Sequence, residues 1–177
     1  MPNLVPLLGQ AWDVIHYAGH AVHDRDTPDE SGLVLASGQL LSVTEIKRSL
    51  GGNPLIFLNA CSSGALSDTV VEVPSSDRIF DADPLGSVGI ATGFVVGGAK
   101  GVISTMWPVN DVSASDFAGR FYSHLLAGDT IGSSLVESKK YLRSRHPQDI
   151  SWAAFIYYGS PDEHLDGLPA QSADMTE

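Results

Sequence analysis

Two short stretches carry residue types able to break a covalent bond: "VIHYAGHA" and "LIFLNACSSGAL". The second holds Cys61, the only cysteine of the chain, and the first holds His16 and His20. A free thiol is only a few per cent ionised at neutral pH. An imidazole beside it can take its proton, or stand by as imidazolium and depress its pKa. Gly19 and Gly64 let backbone come close to a substrate. The backbone N–H groups of Ala21 and Cys61 have the chemistry to receive a developing oxyanion. These types admit three roles for Cys61: nucleophile with His20 as base, small buried hydrophobe, or metal ligand with His20 and His23. A single cysteine without a C-x-x-C partner argues against a structural zinc site, so no metal is expected. His23 otherwise reads as a solvated loop residue. Ser62 and Ser63 read as turn formers at a strand exit.

Dyad chemistry needs both residues at one end of a sheet, and the flanking pattern supplies two strand ends. Residues 13–17 read as a buried strand followed by a loop, with His20 just past the strand. "PLIFLNA" contains four consecutive large apolar residues, right for a central parallel strand that ends at Cys61. "SGLVLASGQLLS" suggests a hairpin about Ser37-Gly38. "SVTEIKRSL" reads as a helix capped by Ser42, with Glu45 at capping-box spacing and Gly51-Gly52 as its stop.

Residues 67–84 have no sustained period and read as a mobile loop beside the cysteine. Their acidic part, residues 77–83, is a solvated loop, a lid or an activation segment. "GSVGIATGFVVGGAKG" reads as a helix ending at Gly97-Gly98, and "GVISTMWP" as a strand stopped by Pro108. The next helix has Phe117, Phe121, Leu125 and Leu126 at helical spacing and Asp111 or Ser113 as its cap. Another places Ile131, Leu135 and Leu142 on one face and ends at Pro147. "WAAFIYYGSP" reads as a last strand, and beyond Pro161 the tail is polar and loose. Residues 1–162 are expected to form one domain and 163–177 a disordered tail. Alternating helices and apolar strands predict a three-layer α/β/α sandwich with a mainly parallel sheet. Ligands in such folds bind at the carboxyl ends of the strands.

Composition narrows the function classes. The chain has 177 residues, 43% hydrophobic and 18% charged, which fits one globular domain with a real core. Ten Lys+Arg against 21 Asp+Glu give a formal net charge of −11, which does not supply the basic face a nucleic-acid binder needs. No stretch is long and charge-free enough to span a bilayer, and "MPNLVPLLGQAWD" lacks the basic start of a signal peptide. The expectation is a cytoplasmic protein that engages neither membrane nor nucleic acid. Neither G-x-x-x-x-G-K-[ST] nor G-x-G-x-x-G occurs, so no nucleotide or other cofactor is expected.

Taken together, "VIHYAGHA", "LIFLNACSSGAL", "GGAKGVISTMWPVND", "FYSHLLAGDTIGSSL" and "WAAFIYYGSPD" resemble the CHAT domain family, within the caspase- and separase-like cysteine peptidases. The resemblance runs from about Trp12 to Asp162. It implies a caspase-like fold and a thiol protease that cleaves a polypeptide, with Cys61 as nucleophile and His20 as its base. His16 matches the first, non-catalytic histidine of the family's H-x-x-G-H pattern. It further implies an oxyanion hole from the backbone of Ala21 and Cys61 and substrate contacts at Asp111, Asn59 and Ser62. A separase-like acid near Asp111 would favour a basic P1 side chain, with helix capping as its other reading. Asn59 stands where metacaspases carry an acid, which weighs against such a preference. A regulatory or helical-repeat protein is the partner implied. Two departures stand out. The family usually has Gly after the catalytic histidine, where this chain has Ala21. Caspase-like folds also carry a strand and helix ahead of the histidine strand, for which the residues before Trp12 leave no room. A fragment of a longer protein, a shortened relative, or a sheet edge covered by a partner would each account for that. The rival reading is a catalytically silent CHAT-like module that binds proteins.

Overall fold

The computed structural model describes residues 5–22, 30–62 and 84–165. They divide into two compact units. The first comprises the described residues up to Val109 together with Ala154–Tyr158. The second comprises Asn110–Ala153 and the described residues from Gly159 on.

The first unit is built on a six-stranded mixed sheet. Its strands are β1 (Val14–Val22), β2 (Gly32–Val34), β3 (Leu40–Ser42), β4 (Leu55–Ser62), β5 (Gly101–Thr105) and β6 (Phe155–Gly159). They lie in the order β3-β2-β1-β4-β5-β6. The centre is parallel, β1 with β4 and β4 with β5, while β2 is antiparallel to both β1 and β3. This is the α/β class expected of a caspase-like fold. Its middle follows from β4: Leu55, Ile56 and Phe57 are wholly buried and Leu58 nearly so. A strand that buries consecutive side chains must be covered on both faces, which only a central position allows.

One face of the sheet carries a core of Ala21, Leu33, Leu41, Ile56, Leu58 and Val102. Against it pack Leu8 from α1 (Val5–Leu8), Val43 and Ile46 from α2 (Val43–Ser49), and Ile90, Ala91 and Phe94 from α3 (Pro84–Val96). The hairpin of β2 and β3 turns as the sequence predicts, with Gly38 at φ +79°, a conformation that favours glycine. The capping box of α2 is present: Ser42 Oγ accepts from Glu45 N, and the Glu45 carboxylate accepts from Ser42 N.

Two elements differ from the sequence expectation here. β1 continues through Gly19 and His20 to Val22, so His20 lies within the strand rather than in a loop. The extension is stabilised on both sides, because residues 20–22 pair with β2 while residues 14–21 pair with β4. Tryptophan 152 is not in the last strand. It falls in a short helix, α6 (Ser151–Ala154), and β6 begins only at Phe155.

The second unit centres on two helices, α4 (Asp111–Leu126) and α5 (Ile131–Arg145). Phe117, Phe121 and Leu125 of α4 are buried as their spacing predicts, but Leu126 is exposed. On α5 the buried stripe is Ile131, Ser134, Ser138 and Leu142, with Leu135 only half-buried. Arg145 and His146 both reach Asp116, at 3.1 and 2.8 Å, and tie the end of α5 to α4. The expected cap of α4 also needs correction. Asn110, not Asp111 or Ser113, is the N-cap: its backbone is extended (φ −67°, ψ 152°) and its Oδ1 accepts from Ser113 N. The segment after Pro161 is tied down where it starts, since Ile131 N donates to Glu163 O and Gly132 N to Pro161 O. Those bonds satisfy two of the free N–H groups at the start of α5. The remainder of the expected tail lies outside the described residues, as does the expected loop at 67–84 apart from Pro84, which begins α3. No helix among the described residues is long and apolar enough to cross a membrane.

Asp149 joins the start of α4 to the start of α6. Its Oδ2 accepts from Asn110 Nδ2 at 2.9 Å and Ser113 Oγ at 2.5 Å, and its Oδ1 from Ser151 N at 2.9 Å and Ser151 Oγ at 2.6 Å. Partial burial alone would raise its pKa; the four hydrogen bonds outweigh that and hold the carboxyl below its ordinary value. Because the folded pKa is depressed, the stabilisation is complete above the unfolded carboxyl's pKa. It is lost as pH falls through the folded value. Asp149→Ala should destabilise the protein by about 1–3 kcal/mol in denaturant titrations at pH 7, since buried Ser113 and Ser151 lose an acceptor. The variant should also lose part of the wild type's acid sensitivity. Equal stability of the two proteins at pH 7 would show that the network contributes nothing.

Candidate functional site

Alternation along β1 sorts its residues. Side chains of a strand point alternately to opposite faces. Ile15, Tyr17 and Ala21 belong to the core side, with Ala21 only 2% exposed. His16, Ala18 and His20 are exposed and share the other face. The parallel ladder then places β4 beside them position by position: His16 opposite Phe57, Ala18 opposite Asn59, and His20 opposite Cys61. Residues paired in register occupy the same face of a parallel sheet. Positions 20 and 61 are therefore backbone neighbours on adjacent strands, near the carboxyl ends of two central strands. Ala21 and Ser62 form the next rung.

Ala21, the departure from the family pattern, is thereby explained. Its methyl group is part of the core packed against α2 and α3. A Cβ there fills space on the side away from His20, and the His20 face of the strand is unaffected.

Two pleats before His20, the His16 ring packs on Phe57, centroid to centroid 4.6 Å, and its Nε2 lies 3.4 Å from Asn59 Nδ2. Burial of the ring lowers the His16 pKa, because a desolvated imidazolium is disfavoured. The Asn59 Oδ1 atom is buried and has no hydrogen-bond partner among the described residues. Exchanging the amide's O and N would satisfy one atom and orphan the other, so a polar group of Asn59 stays unmet in either assignment. His16 and His20, four residues apart on a strand, are separated by roughly 13 Å at about 3.3 Å per residue. That is too far for both to bind one metal. Among the described residues no three His, Cys, Asp or Glu side chains cluster as a metal site would require.

Of the residues singled out from the sequence, His20, Ala21, Asn59, Cys61 and Ser62 fall together on two adjacent strands. Asp111 belongs to the second unit, where it is the first residue of α4 and exposed. His23 lies outside the described residues. Sequence reasoning missed Tyr17, whose hydroxyl donates toward two carbonyls, His20 O at 2.8 Å and Val34 O at 2.6 Å. The signal was present, since Tyr17 and Gly19 share a face, but only the fold brings Val34 to the same point.

The family model of the CHAT domain matches residues 2–160. The chain belongs to the CHAT domain family. Among curated proteins, Tetratricopeptide repeat protein 28 of Mus musculus is 35% identical over 79 residues. Its counterpart in Homo sapiens is 33% identical over 79 residues. In both cases the match covers 42% of this CHAT chain and 3% of the relative, so the chain spans a small part of the proteins it matches.

The lowered His16 pKa makes a prediction. The unfolded chain takes up the proton first as pH falls below about 6.5, so His16 costs the folded CHAT domain stability from that point downward. NMR should show the His16 ring titrating below a free histidine. His16→Gln should lessen the loss of stability between pH 6.5 and 5. Titration of His16 at or above the free value would contradict the desolvated setting.

Proposed function

We propose that this CHAT domain is a cysteine endopeptidase working through Cys61 and His20. The observation that carries the proposal is the β1–β4 register, in which residues 20 and 61 stand on one rung. His20 takes the thiol proton, and the Cys61 thiolate attacks the carbonyl carbon of a peptide bond. The tetrahedral oxyanion is received by the backbone N–H groups of Ala21 and Cys61. Collapse of this intermediate breaks the C–N bond, with His20 protonating the leaving amine, and leaves a thioester on Cys61. His20 then deprotonates water, which hydrolyses the thioester to a carboxylic acid and regenerates the thiol. Asn59, two residues before Cys61 with a polar atom unmet, is assigned to substrate, as is Ser62 beside the nucleophile. No cofactor is required. The curated relatives are named for tetratricopeptide repeats, which supports a helical-repeat region or protein as the element that delivers substrate or regulates cleavage.

Cys61→Ala and His20→Ala should each abolish peptide cleavage and leave the fold intact by circular dichroism. The double variant should be no worse than either single one, because a dyad acts as a unit. Cleavage surviving in Cys61→Ala would exclude the mechanism. Folded wild-type protein that stays inactive with its repeat partner present would make the domain a protein-binding module.

Asp111 is assigned to the recognition of Lys or Arg at P1. Its carboxylate is not needed as a cap, since Asn110 has that role. A charge-assisted hydrogen bond of about 1.5–3 kcal/mol corresponds to a roughly ten- to hundredfold preference for a basic over a neutral P1. In a library of peptides varied at P1, Asp111→Asn should erase that preference. An unchanged profile would remove Asp111 from the substrate site.

A further inference from the structure

We infer that Tyr17 is the positioning residue of the dyad: its hydroxyl, lying over Gly19, clasps the main chain at His20 and so sets where the imidazole stands relative to residue 61. The inference rests on the dyad reading and adds to it the group that holds the base. Tyr17 sits on the core face of β1 and His20 on the open face, so the phenol acts through the backbone and not on the ring.

The geometry at this point is specific. The His20–Val34 rung is where the β1–β2 ladder begins, since the β1 residues before His20 have no partner on β2. One phenolic proton is shared there between the carbonyls of both members of that rung, at 2.8 and 2.6 Å. The hydroxyl thereby closes the open end of the ladder. Gly19 is what lets the ring lie along the strand. A Cβ at that position would come within 2.6 Å of Tyr17 Oη and 2.8 Å of its Cζ. Burial raises the Tyr17 pKa and keeps the phenol protonated, hence a donor. The place of the His20 ring depends on the main chain that carries it. Small displacements of a reacting group are costly in rate, so a clasp on that main chain has a direct chemical consequence.

Because the chain has a single cysteine, alkylation reports on Cys61 alone. The experiment measures the rate of iodoacetamide alkylation against pH for the full chain and its variants. The wild type should react with a midpoint below the roughly 8.5 of a free thiol. His20→Ala should move the midpoint up toward that value and slow the reaction at pH 7 about tenfold. Tyr17→Phe should move it in the same direction by a smaller step, roughly threefold in rate at pH 7. It should also speed hydrogen exchange at residues 20–22 and 32–34 while leaving β5 unchanged. Gly19→Ala, which keeps the hydroxyl but pushes it aside, should reproduce the shift and guards against a Tyr17→Phe that fails to fold. If His20→Ala shifts the profile and neither Tyr17→Phe nor Gly19→Ala does, the clasp is refuted and the dyad stands. If His20→Ala itself leaves the profile unchanged, the dyad fails and the clasp's chemical role falls with it.

Discussion

The parallel ladder between β1 and β4 aligns the rest of the candidate site. Its register is held by what lies beneath it. Leu55, Ile56 and Phe57 are wholly buried, each stabilising the strand's position by about 1.5–3 kcal/mol relative to exposure. The first residues of three strands are set level, Val14 beside Leu55 and Leu55 beside Gly101. Slippage by one residue would exchange the two buried sets of β4, Leu55 and Phe57 for Ile56 and Leu58, and move residue 61 off the rung of His20. A slip of two would keep the faces but move His20 off residue 61. The apolar half of the ladder thus aligns the polar half.

Two faces of one strand divide the work. The core side of β1 carries Ile15, Tyr17 and Ala21, which anchor the strand to α2, α3 and the adjoining strand β2. The other side carries His16, Ala18 and His20, with the His16 ring packed on Phe57 and His20 exposed. This separation lets the CHAT domain carry Ala21 where relatives usually have glycine. The substitution is read by the core, not by the face where peptide would bind. It also explains how a tyrosine on the buried side can matter to a histidine on the exposed side, since both share the same main chain.

The second unit is organised by polar groups to an unusual degree for two packed helices. Ser134 and Ser138 occupy the buried stripe of α5, and Ser138 satisfies its hydroxyl by donating to Ser134 O at 2.6 Å. Asp149 gathers Asn110, Ser113 and Ser151 around one carboxylate. These bonds satisfy the hydroxyls of Ser138, Ser113 and Ser151, each of which would otherwise cost about 1–3 kcal/mol, whereas Ser134 Oγ has no partner among the described residues.

Much of this was legible in the residues. The continuous apolar run before Cys61 marks a central strand, the Ser42–Glu45 spacing marks a helix start, and the glycine at 38 marks a hairpin, because each depends on neighbours within a few positions. The family resemblance was legible too, through the motifs that surround Cys61 and His20. What local pattern misjudged was where elements begin and end. The first strand looked finished at Tyr17, yet pairing on two sides carries β1 on to Val22. Asp111 looked like a cap, yet Asn110 has the extended backbone that capping needs. Trp152 looked like strand, yet Asp149, which accepts from Ser151 N, lets a turn of helix form first. The sequence by itself determined which segments are apolar enough to be central and which residues carry reactive groups. Only the tertiary structure decided that His20 stands opposite Cys61, that Ala21 points into the core, and that Tyr17 meets Val34. Those contacts join residues distant along the chain, and their geometry comes from strand register, which no local pattern encodes.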